Sequence, residues 1–166
     1  MKTLCAWCSK VLTEDKSANA PVSHGICSDC LKKMLGQTRL GLADFLNSIE
    51  VPVLLLDENR ALRQINETAE KFMGKFVYKL DGSKLGLAIE CLHVGVMGEC
   101  GVSAYCGGCA FRRTIRDTHS DGLPRYGEYS QQTISAADGP KERRFRFSTS
   151  RIGDMVLVAI EGVQDL

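Results

Sequence analysis

The stretch Phe45–Lys75, FLNSIEVPVLLLDENRALRQINETAEKFMGK, decides the fold. Val51 to Leu56 is a short apolar run, β-branched at its start, of the length of a buried strand. Asp57-Glu58-Asn59-Arg60 supplies turn residues, and a return strand follows to about Ile65. Asn66 is placed to cap a helix with Ala69, Phe72 and Met73 on one face, and Gly74 is placed to stop it. The local order is therefore strand, turn, strand, capped helix.

Downstream, Ala110 to His119 sets Phe111, Ile115 and Thr118 at helical spacing, with Arg112, Arg113 and Arg116 facing away. Three strands come next. Tyr126 to Ile134 alternates, with Ser130 and Gln132 on the face opposite Tyr129 and Gln131. After a turn at Asp138-Gly139-Pro140, Glu142 to Ser150 places Phe145, Phe147 and Thr149 on one side. After Gly153-Asp154, Met155 to Ile160 (MVLVAI) reads as a buried strand. Between these halves the pattern is weaker: Phe76, Tyr78 and Leu80 alternate, and Leu85 to Ile89 leads into a cysteine-rich stretch. Pattern alone gives an α+β chain with an antiparallel sheet.

The wording of Pro52 to Asp57, with Ile65, Asn66, Ala69, Glu70 and Gly74, resembles the opening of the PAS family. The resemblance extends over about residues 44–162. It implies the PAS fold, a five-stranded antiparallel sheet flanked by helices, and a sensing and protein-interaction scaffold. Upstream, Leu35, Thr38, Leu42, Phe45 and Ile49 form a heptad-like stripe, interrupted by Gly36 and Gly41. It predicts a connector helix over 35–50, in one piece or broken in two at the glycines, either packed on its own sheet or forming a dimer. The expected organisation is a small unit at 1–34, the connector at 35–50, and a PAS domain at 51–166 with an insertion at 90–113.

The eight cysteines fall into two sets of four. Cys5-Ala-Trp-Cys8 and Cys27-Ser-Asp-Cys30 are two CxxC pairs, each placing two sulfurs on one side of a turn, so that together they surround a Zn²⁺ ion. The span between them is polar and lacks core residues, so metal binding would supply its folding energy. CAWC and SHGICSDCL (Ser23 to Leu31) resemble the zinc-ribbon or treble-clef-like units that accompany bacterial signalling proteins. With four thiols present, His24 reads as a structural neighbour.

The second set lies in Glu90–Arg113, ECLHVGVMGECGVSAYCGGCAFRR, with Cys91, Cys100, Cys106 and Cys109 spaced C-x8-C-x5-C-x2-C. Only Cys106 and Cys109 form a short pair. Uneven spacing suits an iron–sulfur cluster, whose corners lie further apart than the ligands of one ion. A second zinc, thiol–disulfide switching and non-covalent haem through His93 are the competing readings. No CxxCH is present for haem attachment. The phrase CG-x-S-x-x-C-x-x-C-x-x-R (Cys100 to Arg112) resembles a cysteine-rich insertion in a subset of bacterial PAS proteins, which implies a redox-responsive role. Arg112, Arg113 and Arg116 read either as a solvated face or as charges beside the cluster.

The formal charge is +1. With eight thiolates on two divalent sites it falls to roughly −3, and the basic strand Lys141, Arg143, Arg144 and Arg146 has no aromatic residues on its charged face. Nucleic acid is therefore not expected as a partner. No long apolar run occurs near the start, so a cytoplasmic protein with reduced thiols is expected. No phosphate-binding loop, dinucleotide fingerprint or nucleophile elbow is present, and no enzyme is expected. The leading expectation is a sensor that homodimerises or contacts a signalling partner. A zinc-stabilised adaptor and an electron-transfer protein are the alternatives.

Overall fold

A computed structural model describes residues 2–13, 22–36, 41–74 and 81–166. The N-terminal elements are β1 (Lys2–Cys5), β2 (Val11–Thr13), β3 (Val22–Gly25) and α1 (Ser28–Gly36). They are followed by α2 (Leu42–Asn47), β4 (Val53–Leu56), β5 (Leu62–Ile65) and α3 (Glu67–Met73). Two short helices, α4 (Leu85–Ala88) and α5 (Leu92–Met97), lead to a 3₁₀ turn at Ala104–Gly108 and to α6 (Ala110–Asp121). The chain ends in β6 (Arg125–Ala136), β7 (Gly139–Ile152) and β8 (Met155–Asp165).

The large sheet has the order β5-β4-β8-β7-β6, with every neighbouring pair antiparallel. It is the five-stranded antiparallel sheet flanked by helices that the PAS resemblance implies. A separate three-stranded sheet, β2-β1-β3, is formed by the N-terminal elements. Among the described residues no helix is long and apolar enough to cross a membrane, which leaves strand-built barrels untouched.

All four residues of β4 are fully buried. A strand covered on both faces has no reason to alternate, so VLLL reads as a continuous apolar run. Leu54 and Leu56 join the inner core with Phe111, Ile115, Phe145 and Phe147. Val53 and Leu55 face the other way, against Phe45, Leu46, Ile49 and Leu157. Ala6, Ile26 and Leu31 of the N-terminal unit pack on that second cluster.

The expected hairpin and capped helix form as read. Asp57 closes the turn: its Oδ1 accepts from the N–H groups of Asn59 and Ala61, both at 2.9 Å, and Arg63 donates to Oδ2. Asn66 caps α3 by accepting from Ala69 N at 2.9 Å, and Gly74 ends the helix at φ 62°. The same Asn66 Oδ1 accepts from Val53 N at 2.9 Å. Its Nδ2 donates to the carbonyls of Leu46, Ile49 and Val51 at 3.2, 2.9 and 2.9 Å. One buried amide therefore ties α2, β4 and α3 together.

Other expectations are narrowed or corrected. Of the two forms read for the helix over 35–50, the broken one matches the described elements: α1 spans Ser28–Gly36, α2 spans Leu42–Asn47, and residues 37–40 lie outside the described ones. Gly41, extended at φ −57° and ψ 154°, precedes α2, and Ser48 caps its other end. In the stripe, Phe45 and Ile49 are buried but Leu42 is exposed, and Leu46 takes the deepest place. The expected alternation of Phe76, Tyr78 and Leu80 lies outside the described residues. Phe72 is exposed, and Met73 alone of that pair packs on the core. Ser148 and Arg146, on the strand face opposite Phe145 and Phe147, are covered by β3.

The α6–β6 corner is closed by Asp121, which accepts from Arg125 at 2.6 Å. The Arg125 guanidinium, helped by the Leu123 N–H, holds this carboxyl down to about 2. An unfolded aspartate titrates near ~3.9. The pair therefore stabilises the fold fully above that pH, and its contribution is lost as pH falls to about 2. Asp121→Asn is expected to lower the melting temperature at neutral pH and to converge on wild type near pH 2, read by thermal melts across pH. Asn66→Ala leaves two N–H groups and the carbonyls of Ile49 and Val51 without their partner, while the Leu46 carbonyl keeps the Ile49 N–H at 3.1 Å. At roughly 1–3 kcal/mol per unsatisfied buried group, the loss is expected to reach about 3 kcal/mol or more in urea denaturation. A loss under ~1 kcal/mol would contradict the role given to this side chain.

Candidate functional site

The first four cysteines converge. Cys5 ends β1, Cys8 follows in the turn, Cys27 follows β3, and Cys30 lies in the first turn of α1. Their four sulfurs all lie within 4.8 Å of one another. That spread suits one ion with Zn–S bonds near ~2.3 Å. Backbone groups are aimed at the sulfurs: Cys27 N donates to Cys5 Sγ at 3.4 Å, and Cys30 N to Cys27 Sγ at 3.3 Å.

Burial pushes the Cys5 thiol up, but N–H groups of Cys27, Cys8 and Trp7 outweigh it and bring the thiol down to about 6. Burial, then the neighbouring thiols of Cys27, Cys8 and Cys5, pushes Cys30 in the opposite direction. Four thiols sharing this space need a cation before all can ionise. His24 stands on β3, paired with Leu4, and donates its backbone N–H to Glu161.

The second set is brought to one place by four different elements. Cys91 precedes α5 and is bridged to Ile134 on the edge strand β6, with Ser135 N donating to Glu90 O at 2.8 Å. Cys100 lies in the loop after α5. Cys106 is in the 3₁₀ turn, and Cys109 is the N-cap of α6, where the helix dipole favours negative charge. All four line one cavity of about 60 Å³. Among the described residues, only the first set forms a compact group of three or more ligand atoms suited to one ion.

The cavity has apolar walls from Leu85, Ile89, Val94, Phe111 and Ile115. Arg60, Lys84 and Arg112 supply positive charge to its lining. Lys84 donates to the Asn59 carbonyl, which fixes its stem. Arg112 lies against the Cys100–Gly101 turn and separates from Arg113 and Arg116, which are exposed. The three arginines thus do not share one solvated face. Burial pushes the Cys100 thiol up, and the charges of Cys106, Cys109 and Cys91 add to it. His93 stacks on Tyr105, with ring centroids 4.4 Å apart.

Two residues that the sequence did not mark shape this centre. Gln132 reaches in from β6: Cys91 Sγ donates to its Oε1 at 3.7 Å, and its Nε2 donates to Cys109 Sγ at 3.5 Å and to Ser130 Oγ at 2.7 Å. Its signal in the sequence was a polar residue on the inward face of an alternating strand. Gly86 accepts from Cys91 N at 2.9 Å, and a Cβ there would stand 2.8 Å from Cys100 Sγ and from Val94 Cγ2. Real contacts of that kind do not occur at 2.8 Å.

No family model matches this chain, and no curated protein matches it. Solved structures similar to it include the PAS domain of an HTR-like protein from Haloarcula marismortui, at 15% identity and TM-score 0.47, covering 81% of this chain and 97% of that one. The PAS domain of nitrogen regulation protein NR(II) from Vibrio parahaemolyticus matches at 15% identity and TM-score 0.43, covering 76% and 99%. The PAS domain of the Cronobacter turicensis RpfR quorum-sensing receptor, in complex with BDSF, matches at 14% identity and TM-score 0.41, covering 70% and 94%.

Gly86→Ala is expected to displace Cys100 and to lower occupancy of the second centre, with the metal at Cys5, Cys8, Cys27 and Cys30 retained. Metal content per chain and far-UV circular dichroism of the variant check this. Full occupancy in a folded Gly86→Ala chain would contradict the placement of Cys100.

Proposed function

We propose that this chain is a PAS signalling sensor whose sensing centre is held by Cys91, Cys100, Cys106 and Cys109. A zinc ion on Cys5, Cys8, Cys27 and Cys30 stabilises residues 1–34 as a separate unit, with the PAS domain over 51–166. The single observation that carries the reading is that four cysteines from four elements line one cavity inside the fold, between the short helices and β6. The apolar walls and the three lining cations fit an iron–sulfur cluster, whose thiolate ligands bring net negative charge. When bound, such a cluster supplies reversible one-electron chemistry and sensitivity to oxidants or gases. A second zinc is the competing occupant of the same thiols.

The chain's own residues give the centre a route outward. Gln132 holds hydrogen bonds to both Cys91 and Cys109 and belongs to β6. Cys91 is itself bridged to that strand. A change in bonding at either sulfur therefore acts on the edge of the sheet, and through the β6–β7 pairing on its centre. In this reading the sheet passes the change to a second copy of the chain or to a signalling partner.

Cys106→Ser is expected to abolish the second centre while sparing the first, and Cys27→Ser to do the reverse. Anaerobic purification followed by metal analysis and an absorption spectrum checks both. Broad absorption near ~400 nm lost in Cys106→Ser favours the cluster, and a colourless protein with about two zinc ions favours the zinc-stabilised adaptor. Retention of both metals in Cys106→Ser would overturn the division of the eight cysteines.

A further inference from the structure

The outer face of the sheet carries a buried carboxylate that neither cysteine centre uses. The Glu161 side chain, on β8, is 3% exposed. Its Oε1 accepts from Ser23 Oγ at 2.6 Å, from the His24 N–H at 3.3 Å, and from Ser148 Oγ. Its Oε2 faces Arg146 Nε at 3.3 Å, and Arg146 also donates to the Val22 carbonyl at 3.2 Å. Ser23 and Ser148 are themselves buried, 3.2 Å apart.

An ionised carboxylate removed from water is costly unless it is paired and hydrogen-bonded. Half of what satisfies Glu161 comes from β3, a four-residue strand that leads directly into Cys27 and Cys30. The strand is also held close: a Cβ on Gly25 would meet Tyr126 Cε1 at 2.5 Å, so only glycine allows this approach. The unit that carries β3 has little core of its own. Its buried cluster is Cys5, Cys27 and Cys30, with Leu12 and Ile26 packed against it. Without an ion those three thiols offer too little apolar area to hold three short strands together.

We propose that Glu161 couples metal occupancy of Cys5, Cys8, Cys27 and Cys30 to the docking of β3 on β7 and β8, so that loss of the ion uncovers the outer face of the sheet. This rests on the reading of those four thiols as a zinc site. The ion orders β3, β3 satisfies Glu161, and by linkage the docked sheet must raise zinc affinity by the same factor as zinc favours docking. The surface uncovered includes Leu157 and Ala159, which line one cleft with Ala6, Gly25 and Ile26 of the N-terminal unit. The occupant of that surface in the zinc-bound chain is this chain's own N-terminal unit.

The test uses the full chain, zinc and a chromophoric zinc chelator. Ser23→Ala and Glu161→Gln lie outside the four ligands, and each is expected to lower apparent zinc affinity on the order of tenfold. Trp7 is the single tryptophan, with its ring 5.6 Å from Phe45, and reports docking directly. Its emission is expected to shift to longer wavelength in both variants while zinc is still bound. Should Glu161→Gln fail to fold, Ser23→Ala decides. Wild-type zinc affinity with unshifted Trp7 emission would overturn the coupling and leave the zinc site standing. A wild-type chain that takes up no zinc at its first four cysteines would overturn both.

Discussion

The five hydrogen bonds of the Asn66 side chain are the constraint on which the rest of the structure depends. They join the end of α2, the start of β4 and the first turn of α3 around a fully buried amide. Backbone groups in such a place must find partners within the protein. Asn66 meets the carbonyls of Ile49 and Val51 and two N–H groups, and shares the Leu46 carbonyl with the Ile49 N–H. Once it does, β4 is fixed between β5 and β8, and both its faces are covered. The two cores then grow from opposite sides of one strand.

Each cysteine set belongs to one of those two sides. The inner core supports the helices and loops that carry Cys91, Cys100, Cys106 and Cys109, and β6 closes the cavity with Gln132. The outer cluster receives the N-terminal unit through Ala6, Ile26 and Leu31. The chemical contrast follows from the geometry. One set is compact and suits a single ion. The other lines a cavity whose walls include Arg60, Lys84 and Arg112, a distribution of charge that favours an anionic centre.

Much of this was legible in the sequence where the signal is local. The VPVLLL run, the Asp57 turn, the Asn66 cap and the Gly74 stop are each set by neighbours within a few residues, and each forms as read. Two of the final three strands were legible by alternation and the last as a continuous apolar run, and the two cysteine sets by spacing. What the sequence did not carry is set by long-range packing. Leu42 rather than Leu46 looked like the buried position, because the stripe assumed one continuous helix. Arg112 looked equivalent to Arg113 and Arg116, and only the cavity separates it from them. Gly86 and Gln132 act on cysteines that are 14 and 23 positions away from them in the chain, at Cys100 and Cys109. Nothing in a local pattern marks such a contact. Arg146 belongs to a strand face that reads as charged, and its cover by the N-terminal unit, 124 positions away at Val22, has no local mark.

The central claim is that the eight thiols form two independent centres of different chemistry. Elemental and acid-labile sulfide analysis of the wild-type chain, prepared without oxygen, tests it most directly. Two centres of this kind predict one zinc per chain together with iron and sulfide in matching amounts. Zinc alone at one equivalent per chain, with no iron and no sulfide, would contradict it.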